Sequence, residues 1–313
     1  MSKIILHHYP MSPFSEKVRA VLGFKRLAWH SVLIPTVMPK PDLLALTGGY
    51  RRTPVLQIGS DVYCDTTLIC DVLEHLQPTP TLYPPQHKGL SRTLAQWADS
   101  SLFWAAMGYN LQKPGMTELF ASASPDAMKA FALDRSSMAQ GLNRPRPLDA
   151  VGAYKSYLRR LADMLDGQDF LLGKAPSIAD FAAYHPLWFT RTQVSAMAGV
   201  LHTSPALLAW MDRVAALGHG QSSAMNAIEA IAECAGSKRA AGELDEYFQN
   251  DHCIALGSHV SVRAENFGTE PTFGALVAAS RTRYTLRRVD PRAGVVHVHF
   301  PRLGYALQTE DAS

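Results

Sequence analysis

The order of the elements predicted for residues 1–76 limits the fold more than any other feature of this sequence. Four short runs are apolar or β-branched, as in buried strands: residues 3–7, 29–34, 54–58 and 62–64. A helical repeat of apolar residues follows the first strand, and a second repeat begins at Asp65 or Thr66. Three prolines, Pro35, Pro39 and Pro41, predict a break in regular structure after the second strand. The order β-α-β and then β-β-α predicts an α/β fold, with helices packed on a small mixed sheet.

A proline-rich stretch separates this α/β region from the rest of the chain. Residues 77–89 contain four prolines in thirteen positions, which is typical of a linker. From 90 to 235 apolar residues recur at helical spacing, with a last helix predicted over 222–235, and no strand pattern appears. The predicted units are a first domain, a linker and an all-α domain, with these boundaries: 1–80, 81–89 and 90–237.

The last part of the chain returns to strand patterns. Four segments there alternate or are β-branched: residues 258–263, 274–279, 282–289 and 295–300. Glycines and prolines lie between them, as expected for turns. The sequence therefore predicts a β-rich extension over 238–313, folded as a small antiparallel barrel or sheet.

Composition excludes several classes of protein. The chain of 313 residues carries a net charge of only +3, which gives no electrostatic reason to expect a nucleic-acid partner. It has no run of about 18 apolar residues, as a membrane-spanning helix needs. The apolar run Ile4-Ile5-Leu6 is too short for a secretion signal. Four cysteines without a C-x-x-C pair indicate reduced thiols, so we expect a cytoplasmic protein that binds neither nucleic acid nor membrane.

Ser12 is the most informative candidate site residue. It precedes Pro13 at the predicted start of the first helix, where serine is a common N-cap and proline a common first residue. Free backbone N–H groups and the positive end of the helix dipole lie there, so a bound anion such as a thiolate would be stabilised. A serine that only caps the helix explains the same residues equally well.

Thr53-Pro54 is a second candidate, because proline opens a predicted buried strand where it has no N–H for the sheet. A cis peptide bond would turn the chain sharply and expose the backbone N–H and C=O of Thr53. A trans proline at the first position of the strand is the alternative, and cis bonds are the rarer form.

Asp65-Thr66, at the start of the next predicted helix, is a third candidate. A hydroxyl and free N–H groups can hold a carboxylate, and an adjacent aspartate can hold an amine. Together the two residues would suit the zwitterionic end of an amino acid. Helix capping without a ligand is the commoner use of this pair.

These motifs together resemble the serine-type members of the glutathione transferase superfamily, over about residues 3–235. Four segments carry the resemblance: SPFSEKVR at 12–19, TPVLQI at 53–58, CDTTLICDVLEHL at 64–76 and SIADF at 177–181. In the last segment Ser177 is expected to cap a helix and Asp180 to reach back to it, a structural role. The resemblance implies a thioredoxin-like N-terminal domain, an all-α second domain, glutathione as co-substrate and a homodimer.

The resemblance also implies roles for individual residues. Ser12 would donate a hydrogen bond to the sulfur of glutathione, and the thiolate would attack an electrophilic small molecule. The backbone of Thr53, next to Pro54, would bind the cysteinyl part, while Asp65 and Thr66 would hold the γ-glutamyl end. Thr53 stands where Val or Ile is more usual, and Asp65-Thr66 stands where Glu or Gln followed by Ser is commoner.

Four more residues are weaker candidates. Lys40 lies about where related members bind the glycyl carboxylate with a basic residue. Tyr9 could compete with the serine for the catalytic role, and Phe14 and Trp104 are candidates for the second-substrate pocket. Residues 113–150 form a longer insert than the family pattern has, which predicts an unusual or covered pocket.

The extension over 238–313 lies outside the family pattern. It contains six arginines that could form an anion-binding face: Arg281, Arg283, Arg287, Arg288, Arg292 and Arg302. The charges over 251–313 nearly balance, which favours a solvated strand face instead. His297 and His299 share a strand face, but without a third ligand we predict no metal site. The extension motivates a second hypothesis, a non-catalytic glutathione-fold protein that docks a partner through this segment.

Overall fold

The computed structural model describes residues 3–142, 145–237, 247–249 and 251–309. Its N-terminal elements are β1 (Ile4–His8), α1 (Pro13–Phe24), β2 (Ala28–Leu33), α2 (Pro41–Thr47), β3 (Val55–Ile58), β4 (Asp61–Cys64) and α3 (Thr66–Leu76). Strand β1 pairs in parallel with β2 and antiparallel with β3, and β3 and β4 form a hairpin. Apart from α2, the predicted order of strands and helices is confirmed, and the fold of this part is thioredoxin-like.

Helix α2 contradicts the prediction of irregular structure after β2. Pro41 is the first residue of this helix, where its missing N–H removes no helical hydrogen bond. The helix ends at Gly48, whose φ of 78° is the left-handed conformation that glycine adopts readily. A proline that indicates a break when read alone therefore starts a helix here.

The second part of the chain is mainly helical. Its helices are α4 (Lys88–Trp97), α5 (Phe103–Asn110), α6 (Lys113–Leu119), α7 (Pro125–Met138), α8 (Pro147–Met164), α9 (Ile178–Trp188), α10 (Pro205–Ala215) and α11 (Ala227–Gly236). At the start of α9 the backbone N–H of Ser177 donates to Asp180 Oδ2 at 2.8 Å, while Trp210 Nε1 donates to Oδ1 at 2.9 Å. The predicted structural role of this motif is confirmed. No helix in the described ranges has the length and apolar character needed to cross a membrane.

One strand interrupts the segment that was expected to be purely helical. Strand β5 (Gln221–Ala224) pairs in parallel with β2, so the predicted helix over 222–235 was wrong at its start, and α11 begins only at Ala227. All four residues of β5 are exposed, and its sequence QSSA has no alternation of apolar and polar residues that would predict a strand. The strand forms because β2 offers a free edge to pair with.

The C-terminal extension joins the N-terminal sheet. It consists of β6 (His259–Ala264), β7 (Thr272–Ala279), β8 (Arg283–Asp290), β9 (Gly294–Pro301) and β10 (Tyr305–Thr309). The extension strands pair antiparallel with one another, as predicted, but β9 also pairs in parallel with β4. Among the described residues the result is one sheet of ten strands in the order β10-β6-β7-β8-β9-β4-β3-β1-β2-β5. Val298 of β9 and Val55 of β3 belong to the same buried apolar cluster, so the extension shares a core with the first domain.

A buried polar contact accompanies the pairing of β9 with β4. His299 Nε2 lies 2.8 Å from Asp61 Oδ1, and its Nδ1 lies 2.9 Å from Thr285 Oγ1. The imidazole also stacks on Tyr63, with ring centres 4.5 Å apart. Both ring nitrogens of His299 are therefore engaged within the protein, and this residue connects the extension to the first domain.

Arg288, Arg292 and Arg302, from the set singled out in the extension, are held by acceptors. Arg288 donates to the backbone oxygen of Ala45 at 2.5 Å, while Arg292 and Arg302 pair with Asp42 and Asp251. Two of these acceptors belong to α2. Arg288 and Arg292 thus connect the extension to the first domain, whereas Arg302 pairs within the extension.

Buried histidines of β1 predict a loss of stability at acidic pH. Burial lowers the pKa of His7 to about 4, and burial together with Arg19 lowers the pKa of His8 to about 4. An unfolded histidine binds its proton near pH 6.5, so the unfolded chain takes up more protons between about pH 6.5 and 4. We therefore expect the free energy of unfolding, measured with urea, to fall as the pH falls through this window.

A His7→Gln variant should show a shallower fall, because glutamine does not titrate and can still bond to Gln57, which lies 2.9 Å from His7 Nε2. His202→Gln, at an exposed position, is the matched control and should leave the pH dependence unchanged. Equal pH profiles for wild type and His7→Gln would show that this histidine does not couple protonation to folding.

Candidate functional site

The start of α1 has the geometry that the sequence predicts. Ser12 is the N-cap, and its Oγ accepts a hydrogen bond from the backbone N–H of Ser15 at 3.2 Å. The residue is 3% exposed, and Pro13 is the first helical residue. Because the capping bond uses Ser12 as an acceptor, the hydroxyl hydrogen remains available to a ligand. Both readings of Ser12 are thus compatible, since the cap and a donor role use different parts of the hydroxyl.

The peptide bond between Thr53 and Pro54 is cis, the alternative that turns the chain at the start of β3. Lys40 Nζ lies 3.4 Å from Thr53 Oγ1 and 5.7 Å from the centre of the Tyr9 ring. Lys40 is 4% exposed, and burial, followed by the charge of Arg135, lowers its pKa to about 8. The structure therefore brings Lys40, Thr53 and Tyr9 together beside this proline.

Asp65 is the N-cap of α3 and has part of its carboxylate exposed. Its Oδ1 accepts from the backbone N–H of Thr67 at 2.9 Å, and its φ of 77° lies in the left-handed region, which is uncommon for aspartate. Its Oδ2 accepts from the Tyr305 hydroxyl at 3.0 Å and lies 3.8 Å from Arg52 Nη1. The side chain remains 22% exposed. No pattern in the sequence predicts that Tyr305 contacts Asp65.

Thr66 contacts a buried chain of charged groups. Its Oγ1 accepts from Lys17 Nζ at 3.1 Å, and the same ammonium pairs with Asp99 Oδ2 at 2.5 Å. His185 Nε2 lies 3.0 Å from the other oxygen of Asp99. Burial acts to lower the pKa of Lys17, but Asp99 outweighs it and holds that pKa above its usual value. The ammonium therefore stays charged beneath the start of α3 and links α1 to the helical part.

Helix α7 and residues 265–271 border these groups, and we call them the rim. Arg135 of α7 donates to the Tyr9 hydroxyl at 3.2 Å. Arg51 pairs with Asp134 of α7 and, at 2.5 Å, with Glu270. The two parts of the rim also meet each other, since the N–H of Gly268 donates to the backbone oxygen of Met138 at 2.7 Å. The long insert and the extension thus combine beside the candidate residues.

The two aromatic candidates lie on the helical side. Phe14 packs against Phe103 and His185, with ring centres 4.6 Å away in each case. Trp104 packs against Phe267 of the rim at 5.2 Å. Both are half-buried, so each has a surface that a second substrate could contact. Their role as pocket residues stays a prediction.

The main candidate residues stand at the starts of α1, β3 and α3. Most of the residues that contact them could not be predicted from the sequence. Asp99 and Tyr305 stand in no pattern that indicates a site, and Lys17 was singled out only as part of the motif at 12–19. The conjunction of Arg51 and Arg52 just before Thr53-Pro54 was the one local signal available. These two arginines bind the rim, Arg51 through Glu270 and Arg52 through the backbone oxygen of Phe267 at 2.6 Å.

Comparison with known proteins agrees with this architecture. Residues 6–81 match the family "Glutathione S-transferase, N-terminal domain", and residues 126–213 match "Glutathione S-transferase, C-terminal domain". A solved GST-like protein from Pseudomonas syringae is 40% identical, with 98% of this chain covering 99% of that one at a TM-score of 0.80. The likeness to that protein therefore includes the extension.

Two other similarities cover less of the chain. FtsZ-localized protein A of Caulobacter vibrioides is 27% identical over 186 residues, which is 57% of this chain and 73% of that protein. Glutathione transferase GSTFuA3 of Phanerochaete chrysosporium is 18% identical and shares the fold, with 69% of this chain covering 98% of it at a TM-score of 0.54. The matched domains and the thioredoxin-like and helical parts show that the chain belongs to the glutathione transferase superfamily.

Proposed function

We propose that this protein binds glutathione and conjugates its sulfur to an electrophilic small molecule. The observation that carries the proposal is the position of Ser12, whose Oγ caps α1 while its hydroxyl hydrogen stays available. A thiolate seated there would receive this hydrogen bond and lie at the positive end of the helix dipole. The dipole alone stabilises an anion by roughly 0.3–2 kcal/mol.

The groups around Ser12 suit the rest of a tripeptide. The backbone N–H and C=O of Thr53, beside the cis proline, can pair with the cysteinyl backbone. Asp65 offers a partly exposed carboxylate to an amine, and the start of α3 offers N–H groups to a carboxylate. Lys40, which is protonated below about pH 8, supplies a cation for the glycyl carboxylate. Glutathione contains each of these groups, so the donor set fits it.

In the proposed reaction the chain supplies stabilisation and the tripeptide supplies the nucleophile. The thiol proton passes to solvent, and Ser12 and the helix terminus hold the resulting thiolate. The sulfur then forms a bond to the electrophilic carbon of an acceptor such as an aryl halide, while the halide leaves with the bonding electrons. Phe14 and Trp104 would contact the apolar part of that acceptor. The chain forms no covalent intermediate, and catalysis depends on stabilising charge.

Titration calorimetry with glutathione, followed by turnover assays on a panel of aryl halides and other electrophiles, tests the proposal. We expect saturable binding at one site per chain and acceptor-dependent loss of free thiol. The dipeptide Cys-Gly, which lacks the γ-glutamyl group, is the matched control ligand and should bind more weakly. Absence of glutathione binding would rule out the proposed function.

A second candidate is a non-catalytic binding protein that uses the extension to dock a partner. The rim favours it, because Arg135 engages the Tyr9 hydroxyl and Glu270 engages Arg51 next to the site. The similar protein from Caulobacter vibrioides is named for FtsZ localisation, not for a reaction. Glutathione binding without turnover on any acceptor would support this candidate. Membership of the superfamily also favours a homodimer, which sedimentation velocity would report as twice the chain mass.

A further inference from the structure

We propose that Tyr305 of the extension is a positioning residue for the γ-glutamyl end of glutathione, acting through Asp65. The inference rests on the proposed function, and it gives a role in ligand binding to a segment that the glutathione transferase domains do not include. Tyr305 lies on β10, the outermost strand of the sheet, which pairs with β6. Its hydroxyl nevertheless lies 3.0 Å from Asp65 Oδ2, directly after β4.

The contact between Tyr305 and Asp65 requires the extension to curve. Along the sheet β10 is separated from β4 by four strands, yet the ring of Tyr305 packs against Tyr50 and Phe300 with centres 6.4 and 5.7 Å away. The five extension strands therefore curl back over the first domain. Tyr305 is only 4% exposed, so its ring is fixed by its neighbours and its hydroxyl has a defined position.

The hydroxyl of Tyr305 acts as a donor toward Asp65. It has one hydrogen, and a carboxylate at 3.0 Å is a stronger acceptor than the Tyr50 hydroxyl at 3.3 Å. Burial raises the pKa of Tyr305 well above its usual value and also raises that of Tyr50. Both phenols consequently keep their hydrogens throughout the neutral range, and Tyr50 can donate to the oxygen of Tyr305.

Two donors on different oxygens fix the orientation of the Asp65 carboxylate. Thr67 N–H binds Oδ1 and Tyr305 binds Oδ2, so rotation of the carboxylate would break at least one bond. Each oxygen can accept a further bond, and the side chain is 22% exposed. The positive φ of Asp65 fixes the backbone from which this side chain leaves. The carboxylate is thus held in one orientation with acceptor capacity left for an ammonium group.

Arg52 does not take up that capacity. Its Nη1 is 3.8 Å from Asp65 Oδ2, which is longer than a hydrogen bond. Three bonds hold the guanidinium toward the rim instead, from Nε to the backbone oxygen of Phe267 at 2.6 Å and from Nη2 to two oxygens of Asn266. Both the rim and β10 therefore influence the surroundings of Asp65, and the extension contributes residues 265–271 of the rim and all of β10.

The test compares two ligands on the full-length chain. Glutathione carries the α-amino group that Asp65 would bind, whereas glutaryl-cysteinylglycine lacks only that amino group. In Tyr305→Phe we expect the dissociation constant and KM for glutathione to rise about tenfold, as for loss of one hydrogen bond that orients a charged group. The affinity for the des-amino ligand and the turnover number should stay unchanged.

Tyr284→Phe is the matched control, because Tyr284 is also a buried extension tyrosine and its hydroxyl lies 3.5 Å from His252 Nε2. It should alter neither ligand. The ratio of the two dissociation constants does not depend on the fraction of folded protein, since misfolded chains lower the binding stoichiometry only. In Asp65→Asn the preference for glutathione should disappear, and adding Tyr305→Phe to this variant should have no further effect.

The outcomes separate the two proposals. Equal weakening of both ligands by Tyr305→Phe, or no weakening of glutathione, would overturn the role of Tyr305 and leave glutathione conjugation standing. A further effect of Tyr305→Phe in the Asp65→Asn background would also overturn it, because the residue would then not act through Asp65. A wild-type chain that binds no glutathione would overturn the proposed function itself and this inference with it.

Discussion

Replacing Ser12 by alanine should lower the turnover number for glutathione conjugation about 100- to 1,000-fold, the usual effect of removing one donor to a developing or bound anion. The affinity for glutathione should change little, because in the proposed complex Thr53, Asp65, Thr66 and Lys40 would bind parts of the tripeptide other than the sulfur. The acidic limb of the pH–rate profile should also move to higher pH, because the bound thiol loses a donor that favours its anion and its pKa therefore rises. Initial rates at saturating glutathione over a range of pH values measure both effects.

The Ser12→Ala substitution also removes the N-cap of α1, so the control must remove a serine N-cap from another helix. Ser204-Pro205 repeats the Ser-Pro start of α1 at α10, and Ser204 Oγ accepts from the N–H of Leu207 at 3.4 Å. Ser204→Ala should cost about 1 kcal/mol of stability and leave turnover intact. Wild-type turnover in Ser12→Ala would assign the donor role to another group. Tyr9, whose hydroxyl accepts from Arg135, would be the first to test with Tyr9→Phe.

Replacing Asp99 by alanine should reduce the free energy of unfolding by about 3–5 kcal/mol, because it leaves a buried cation without its counter-charge. Lys17 is 1% exposed, and Asp99 is its only carboxylate contact within 4 Å among the described residues. The hydroxyl of Thr66 alone would then face the ammonium. Urea denaturation at pH 7 measures the loss, and Lys17→Met combined with Asp99→Ala should recover much of it.

Asp212→Ala is the control for this prediction, since Asp212 forms an exposed pair with Arg191 and should cost less than about 1 kcal/mol. Burial acts to raise the pKa of Asp99, but Lys17 outweighs it and holds that pKa below its usual value. The ion pair therefore contributes fully above about pH 4 and is lost as the pH falls through the folded-state pKa. Equal costs for Asp99→Ala and Asp212→Ala would show that the buried pair does not stabilise the fold.

Local patterns in the sequence were enough for most strands and helices. The Ser12-Pro13 start of α1 and the Ser177–Asp180 contact of α9 depend on neighbours in sequence, and each was predicted correctly. The pairings of β9 with β4 and of β5 with β2 join residues far apart in sequence. An isolated strand shows which faces are apolar, but it does not show which edge it will meet. This is why the extension was expected to form a sheet of its own.

The same distinction applies to the candidate site. Ser12, Thr53 and Asp65 were predicted because each stands at the end of an element, where local chemistry is informative. Tyr305 was not, since it reaches Asp65 only after the sheet has curled. Lys17 was also missed, because a lysine on a helix normally lies in solvent, and only the packing of α1 against the helical part buries this one.

The pairing of β9 with β4 has a consequence for truncation of this protein, whether by design or by deletion during evolution. A chain cut before residue 238 would leave the backbone N–H and C=O groups of β4 as an unprotected edge, to which other chains can add. We therefore expect a descendant that lost its last 76 residues in a single deletion to associate through β4 more readily than the full chain does.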